Sequence, residues 1–361
     1  MKKPSKTPTM SEIAAEAGVS KMTVSLALRS SHRVSKKRRD HILQIAERMN
    51  YRPNPMVQTL MANLRATRAP ALNSTLAWIT SFESENGWKE HRAAYLYFQG
   101  AVQRGEQLGY RIEPVWACAA GMTGKRLTEI LRARGIYGIL VAPVQKMQRP
   151  LDLEWRYFAS ATVGFSFNST KLHRAAANLA EAMTLALSKC REREFRRVGF
   201  VTPADTDKRV NHAWLASYLA WQHFIDHEDR LDVLYVGPDE RIEDQLKQWV
   251  CRNRPEVIIS PNREFTDWLP RRLGLKVPED IGYVCLSRSE NADHAELFTG
   301  INQNESSVGA AAVDLVAAQL QRNEFGLPDN PKIVLIENEW HEGQTLLERV
   351  EDLSGEVNLT T

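Results

Sequence analysis

The sequence predicts an all-α head of helix-turn-helix type followed by an α/β body built on parallel sheets. Three observations carry that reading. Two short apolar-striped helical segments meet at Gly18. A basic first stretch sits on an acidic remainder. From residue 72 onward, short apolar runs alternate with helical stretches.

In the head, Met10, Ile13, Ala14 and Ala17 recur at helical spacing and form one apolar face. Thr9 is placed to cap this helix, with Glu12 three residues later completing a capping box. Gly18 stands where the helix must end in a left-handed turn. Ser20 is the expected cap of a second helix, whose inward residues are Val24, Ala27 and Leu28. Two helices joined across such a turn form the helix-turn-helix, whose second helix enters the major groove of DNA. Its base-facing side chains would be Lys21, Met22, Thr23, Ser25 and Leu26. Val34 and Ser35 open a third helix, with Ile42, Ile45, Ala46 and Met49 inward. Lys36, Lys37, Arg38 and Arg39 crowd its first turn. Cations there oppose the helix dipole, and phosphate is the natural compensation. Residues 1–70 hold 14 Lys and Arg against 4 Asp and Glu. The whole chain holds 47 against 44, so the remainder holds 33 against 40. That asymmetry is a nucleic-acid footprint which the overall charge of +3 conceals.

A fourth helix is expected after Asn54, a good N-cap, with Pro55 at the first helical position. At about nine residues it is marginal alone and should fold only when docked. Leu60 and Met61 are apolar with little core to join, which suits a wedge opening a base step in the minor groove. The competing reading is a linker helix packed on the body.

The run Ile13-Ala14, Ala17-Gly18-Val19-Ser20, Thr23-Val24-Ser25, Val34-Ser35 and Tyr51-Arg52-Pro53-Asn54 resembles the head and hinge of the lactose-repressor (LacI) family. The resemblance implies a homodimer that reads a near-palindromic DNA operator, with two hinge helices meeting in the central minor groove. Ser20, Lys21, Met22, Thr23, Ser25 and Leu26 fall on the family's groove-facing positions. Thr9, Met10, Arg29, Arg33, Ser35, Arg38 and Tyr51 fall on positions that touch the DNA backbone or dock the head. Asn54, Val57 and Leu60 match hinge positions, Leu60 being the wedge. There are departures. Leu26 stands where the family usually has Arg, and Leu can only touch a thymine methyl or fill space, whereas Arg reads guanine. Pro55 and Val57 also differ from the usual hinge, so the operator cannot be transferred from other members.

In the body, strands are expected at 76–79, 112–116, 136–142, 161–165, 198–201, 233–236, 257–259, 283–286 and 333–336. Helices are expected at 95–108, 127–134, 176–187, 211–223, 242–251 and 307–320. Such alternation implies parallel sheets with helices on both faces and a ligand site beyond the strand C-termini. Residues 135–143 and 275–281 resemble family phrases, implying the two-lobed type I periplasmic-binding-protein-like fold. The expected division is a DNA-binding domain at 1–52, a hinge and linker at 53–71, and an effector-binding and dimerisation domain at 72–361. Within it, lobe one would take about 72–170 and 297–326, and lobe two about 171–296 and 327–355. By the same resemblance, a small-molecule effector such as a sugar would lie between the lobes. Phe82 and Phe98 are candidates to stack on its ring, and Arg209, Asn262, Ser287 and Arg288 to contact its polar groups. Phe98 has the competing reading of helix core, and Arg209 that of a surface loop residue. Ser287 stands where the family commonly has Asp, and Arg288 adds a cation, so the effector need not be a neutral sugar.

Cys118, Cys190, Cys251 and Cys285 lack CxxC spacing, which implies no disulfide framework or zinc site and suits a reducing cytoplasm. There is no HExxH, P-loop or GxGxxG, and Gly164 to Asn168 begins like a nucleophile elbow but lacks the second Gly. No metal, cofactor or catalytic role is expected. No apolar run approaches 18 residues, and no signal peptide or membrane association is indicated. The expectation is a ligand-responsive transcription regulator, a repressor. The alternative is a cleft-type small-molecule binding protein without a gene-regulatory role.

Overall fold

The structure is a computed structural model that describes residues 10–28, 34–49, 51, 74–144, 151–237, 242–262, 264–288, 297–351 and 357–359. The head holds three helices, α1 (Met10–Glu16), α2 (Lys21–Leu28) and α3 (Lys36–Arg48). Ile13, Ala14, Val24, Ala27, Val34, Ile42, Ile45 and Ala46 are buried together, with Met10, Ala17, Met49 and Tyr51 packed against them. These are the inward residues that helical spacing selects, so the head core follows from local pattern alone.

The body begins with β1 (Ser74–Thr80), whose last five residues are all buried. A strand buried on both faces belongs in the middle of a parallel sheet. β1 lies between β2 (Tyr110–Trp116) and β3 (Gly138–Val141) and is parallel to both. The chain between them forms α4 (Gly87–Glu90), α5 (Arg92–Leu108) and α6 (Gly124–Ala133). β4 (Ala159–Val163), β5 (His173–Ala177) and the late strand β11 (Ile333–Ile336) extend the sheet to the order β2-β1-β3-β4-β5-β11.

A second sheet repeats that order. α7 (Leu179–Glu192) leads into β6 (Val198–Pro203), followed by α8 (Ala204–Arg209), α9 (Ala213–His223), β7 (Leu234–Val236), α10 (Ile242–Asn253), β8 (Val257–Ser260), α11 (Phe265–Trp268), β9 (Gly282–Arg288) and β10 (Gly300–Asn302). With β12 (Glu339–His341) the order is β7-β6-β8-β9-β10-β12, parallel except for the antiparallel β10–β12 pair. The chain returns to lobe one through α12 (Glu305–Arg322), and β13 (Arg349–Glu351) pairs with β14 (Val357–Leu359) at the end.

The sheets move several expected limits. Residues 173–177 and 333–336 belong to the first sheet and 300–302 to the second. The chain therefore crosses between lobes at 178, at 303–304 and at 337–338, not near 170, 296 and 326. The helix expected from Ala176 starts at Leu179, because Ala175 and Ala177 are buried strand positions. The helix expected over 211–223 starts at Ala213, because Asn211 and His212 lie in the left-handed region at φ 56° and 57° and separate it from the short helix α8 before it.

The three crossings are tied side by side. The Asn178 amide donates to Glu337 Oε1 (3.2 Å), and the Asn304 amide donates to the Glu337 carbonyl (3.0 Å). The Asn338 amide donates to the Asn178 carbonyl (2.7 Å) and to Glu181 Oε2 (2.6 Å). Short Asn side chains suit this place because each supplies both donor and acceptor and tolerates an irregular backbone, as Asn304 does at φ 51°.

α5 and α12 lie on one face of the first sheet in backbone contact. A Cβ on Gly100 would stand 1.8 Å from the Ser306 carbonyl oxygen, and one on Gly309 would stand 1.9 Å from that of Tyr97. Arg104 Nε and Asp314 Oδ1 add an ion pair at 2.8 Å. Gly100→Ala should therefore cost about 1–3 kcal/mol or more through forced separation of the helices. Gly135→Ala meets no atom within 4 Å and should cost about 1 kcal/mol for its φ of +70° alone. Denaturant unfolding of both variants checks the ranking.

At the edge of the same sheet, the Lys332 N–H donates to His173 Nδ1 at 2.9 Å, which requires an unprotonated nitrogen. Burial first, and then the Lys332 charge, lower the His173 pKa. A lowered imidazole contributes stability that is complete above its unfolded value, about 6.5, and is lost as pH falls toward the folded value. His91 is lowered as well, also chiefly by burial. Unfolding free energy should decline from about pH 7 to about pH 5, and His173→Gln should decline less over that interval.

Candidate functional site

Two places gather chemistry. The first is the head. Gly18 takes φ 61°, as the turn requires. The Ser20 hydroxyl accepts from the Thr23 N–H at 3.1 Å and lies 2.8 Å from the Thr23 hydroxyl, so it fixes the start of α2. Lys21 is exposed beside it. The first turn of α3 carries no acid, and Ser35 makes no side-chain capping bond to it. The orphan amides there, with exposed Lys36, Lys37 and Arg38, leave one positively charged surface. An ion pair between Arg48 and Glu16 ties α3 to α1, and Tyr51 packs onto the head core. Thr9, Arg29, Arg33, Asn54, Val57 and Leu60 lie outside the described residues. So do the side chains of Met22, Ser25 and Leu26, whose backbone forms part of α2.

The second place lies beyond the strand C-termini, where β1 stands at the reversal of strand order. Phe82 follows β1 and is buried. Its ring meets His91 edge-on with centroids 6.0 Å apart, and its carbonyl accepts from Trp116 Nε1 at 2.9 Å. Phe98 is half-buried and packs edge-on against Trp88 at 4.7 Å and Trp78 at 5.6 Å. That geometry favours the core reading of Phe98 over ring stacking on a ligand. Phe82, Ile79, Cys118, Met122, Leu127 and Val141 line a lobe-one cavity of about 590 Å³.

Arg209 ends α8 in lobe two and is half-buried. It lies within electrostatic reach of His91 and Tyr97, both from the start of α5 in lobe one. Burial lowers its pKa, while Asp205 and Tyr97 act in the opposite sense. Tyr97 is pushed far above its usual range by burial first and by Glu305 second, so its hydroxyl stays neutral. The turn that follows Arg209 is pinned to α8 by His212 Nδ1 on the buried Asp207 carboxylate at 2.6 Å.

The structure thus brings Phe82, Phe98 and Arg209 around the start of α5. Asn262 lies two residues beyond β8, and Ser287 and Arg288 end β9, on the lobe-two side. Asn262 is engaged locally: its N–H donates to the Ser260 hydroxyl at 3.1 Å, and its carbonyl accepts from Tyr283. Arg288 is buried. Sequence reasoning missed His91 and Tyr97. Tyr97 reads as one more aromatic on a helix, and His91 lies in a polar stretch with no motif around it.

Residues 9–54 match the family model described as bacterial regulatory proteins, lacI family. The HTH-type transcriptional regulator AscG of Escherichia coli (strain K12) is 40% identical over 68 residues, 19% of this chain. That match spans only 20% of the relative's length. Among solved structures, the transcriptional regulator CelR–cellobiose complex superposes with TM-score 0.56 at 18% identity, covering 94% of this chain and 99% of that one. The lac repressor dimer bound to operator and the anti-inducer ONPF gives 0.55 at 17%, covering 94% and 99%. A LacI family transcriptional regulator from Enterococcus faecium with bound ribose gives 0.53 at 14%, covering 76% and 99%. At these identities the structural likeness speaks for fold. Residues 9–54 thus carry the head that the lacI family model describes, and the body shares its two-lobed fold with these solved structures.

Proposed function

We propose that this protein is a sequence-specific DNA-binding transcription regulator, a repressor, controlled by a small sugar or sugar-like molecule held between its two lobes. The observation that carries the reading is a helix-turn-helix head, capped by Ser20 and flanked by a basic helix, on the same chain as a two-lobed α/β body. A head alone would bind DNA without control, and a body alone would bind ligand without a target.

In this reading α2 enters the major groove with Lys21 and Thr23 near base edges, and Lys36 and Arg38 meet phosphates. Two heads on a homodimer match two half-sites of a near-palindromic operator. Residues 1–52 form the DNA-binding unit, 53–71 the hinge and 72–361 the effector-binding body. An effector that prefers one angle between the lobes shifts the dimer toward it, and the hinge carries that preference to DNA. The reading includes no catalytic role. Among the described residues, no helix is long and apolar enough to cross a membrane. We propose a cytoplasmic location on the same grounds as the DNA target.

Lys36→Ala or Arg38→Ala should weaken binding to operator and to random duplex alike, and each should lower the slope of log affinity against log salt by about 0.9. Fluorescence anisotropy across a salt series checks this. Leu60→Ala should instead weaken operator binding and leave random duplex nearly unchanged, because only the specific complex would order the hinge. Equal loss on both would remove the wedge from the account.

A further inference from the structure

Helix α9 has no charged side to turn toward water. Ala213–His223 contains no Asp, Glu, Lys or Arg, and Ser217, Gln222 and His223 are its only polar residues. A surface helix ordinarily sets charged or polar residues opposite its apolar stripe, and a helix apolar all round is one that becomes covered. Only one side of α9 is covered within the chain. Trp214 and Tyr218 are buried, and the Tyr218 hydroxyl donates to the Val198 carbonyl at 2.9 Å. Ala216, Leu219, Ala220 and His223 share the opposite side at helical spacing and are exposed. Leu219 keeps 49% of its surface in water. Phe224, directly after the helix, keeps 85%, more than any other large apolar side chain among the described residues.

The two ends of α9 differ in charge. At its start, His212 makes no side-chain cap because its ring is engaged with Asp207, so the positive pole of the helix is open. Lys208 lies just before and is exposed, with no ion pair among the described residues, and Asp205 stands a turn further back on α8. Beyond the other end, Asp226 and Glu228 are exposed and also make no ion pair among the described residues. Arg230, the cation there, is committed to the carbonyls of His223 at 3.3 Å and Ile225 at 3.0 Å.

A second α9 laid antiparallel across a twofold axis answers both features. Centred between Leu219 and Ala220, it sets Leu219 of each copy against Ala220 of the other, and Phe224 against Leu215 and Ala216, so large meets small. It also carries Asp226 and Glu228 of each copy to the open helix start and Lys208 of the other. A parallel pairing would place like charge on like.

We propose that the outward face of α9 is a self-association surface, which holds a second copy of this chain by an antiparallel twofold contact centred on Leu219 and Ala220. A helix of 11 residues is only about 16 Å long, too short to bury the roughly 800 Å² per partner of a standard interface. The contact is therefore weak and additional to the tighter one that a homodimer on DNA requires, and it joins dimers in pairs. That last step rests on the proposed homodimer, whereas the surface itself does not.

The test is sedimentation velocity on the full chain from low to high micromolar concentration at low ionic strength. The wild type should pass to a particle of twice the mass as concentration rises. Leu219→Asp brings two like charges together at the axis and should weaken that step by about tenfold or more. Leu219 is exposed, so the melting midpoint of this variant should stay with the wild type, which separates lost contact from lost fold. Lys208→Glu and Asp226→Lys should each weaken the step, and the two together should restore it. A wild type of constant mass would leave the face to a different protein and overturn the proposal. So would a doubling that Leu219→Asp leaves intact. Failure of the double charge exchange to recover would overturn the antiparallel pairing. A doubling that starts from monomer would keep the α9 contact and remove the homodimer from the functional reading.

Discussion

Everything in the body hangs on the place where the chain passes three times between lobes. Asn178, Asn304, Glu337 and Asn338 bind one another there, so three separate segments behave as one joint. Without it, two six-stranded sheets would share only the apolar cluster that runs from β1 and α12 through α7 into β6 and β8. The joint fixes which residues of lobe one face which residues of lobe two. Arg209 lies within electrostatic reach of His91 and Tyr97, with α8 following the C-terminal end of β6 and α5 that of β1. Amides make a joint that holds without being rigid, since each bond can be exchanged for water at modest net cost.

Charge divides the protein into two chemical territories. The first 70 residues are basic and the remainder is acidic. On the proposed reading, this division sends the head, and not the body, to the DNA surface. Phosphate contacts release counterions and supply affinity, while an acidic body is repelled from the same polyanion. The few side chains at base edges then have only to discriminate. Leu26, in place of the Arg common in the family, suggests that apolar contact takes a share of that task.

The sequence was most legible where structure is local. The turn at Gly18, the cap at Ser20 and the inward faces of α1, α2 and α3 follow from spacing and backbone preference, and the structure holds them there. Most body strands were visible as apolar runs. β5, β10, β12, β13 and β14 were not. His-Arg-Ala-Ala-Ala at 173–177 has little intrinsic strand preference and becomes a strand because β4 and β11 flank it. β10 and β12 are three residues each and exist through pairing. The lobe limits slipped with them, since a crossover is a property of two sheets and not of the segment that makes it. At the ligand site, Phe82 and Arg209 could be chosen by position. His91 could not, because its meaning comes from Arg209, more than a hundred residues away.

The contact between α5 and α12 has a mechanical consequence. Glycine at 100 and 309 brings two long helices backbone to backbone, and such a junction is a weld. One bar of the welded pair begins at His91, beside the gap. The other begins at Glu305, immediately after the crossing at 303–304. A force applied at the gap end of the first bar is therefore delivered to the crossing by the second, with no slack side chain between them. The pair is one stiff element that runs from the end of β1 to the asparagine joint. Any change in the angle between the lobes must therefore carry both helices together or break that contact.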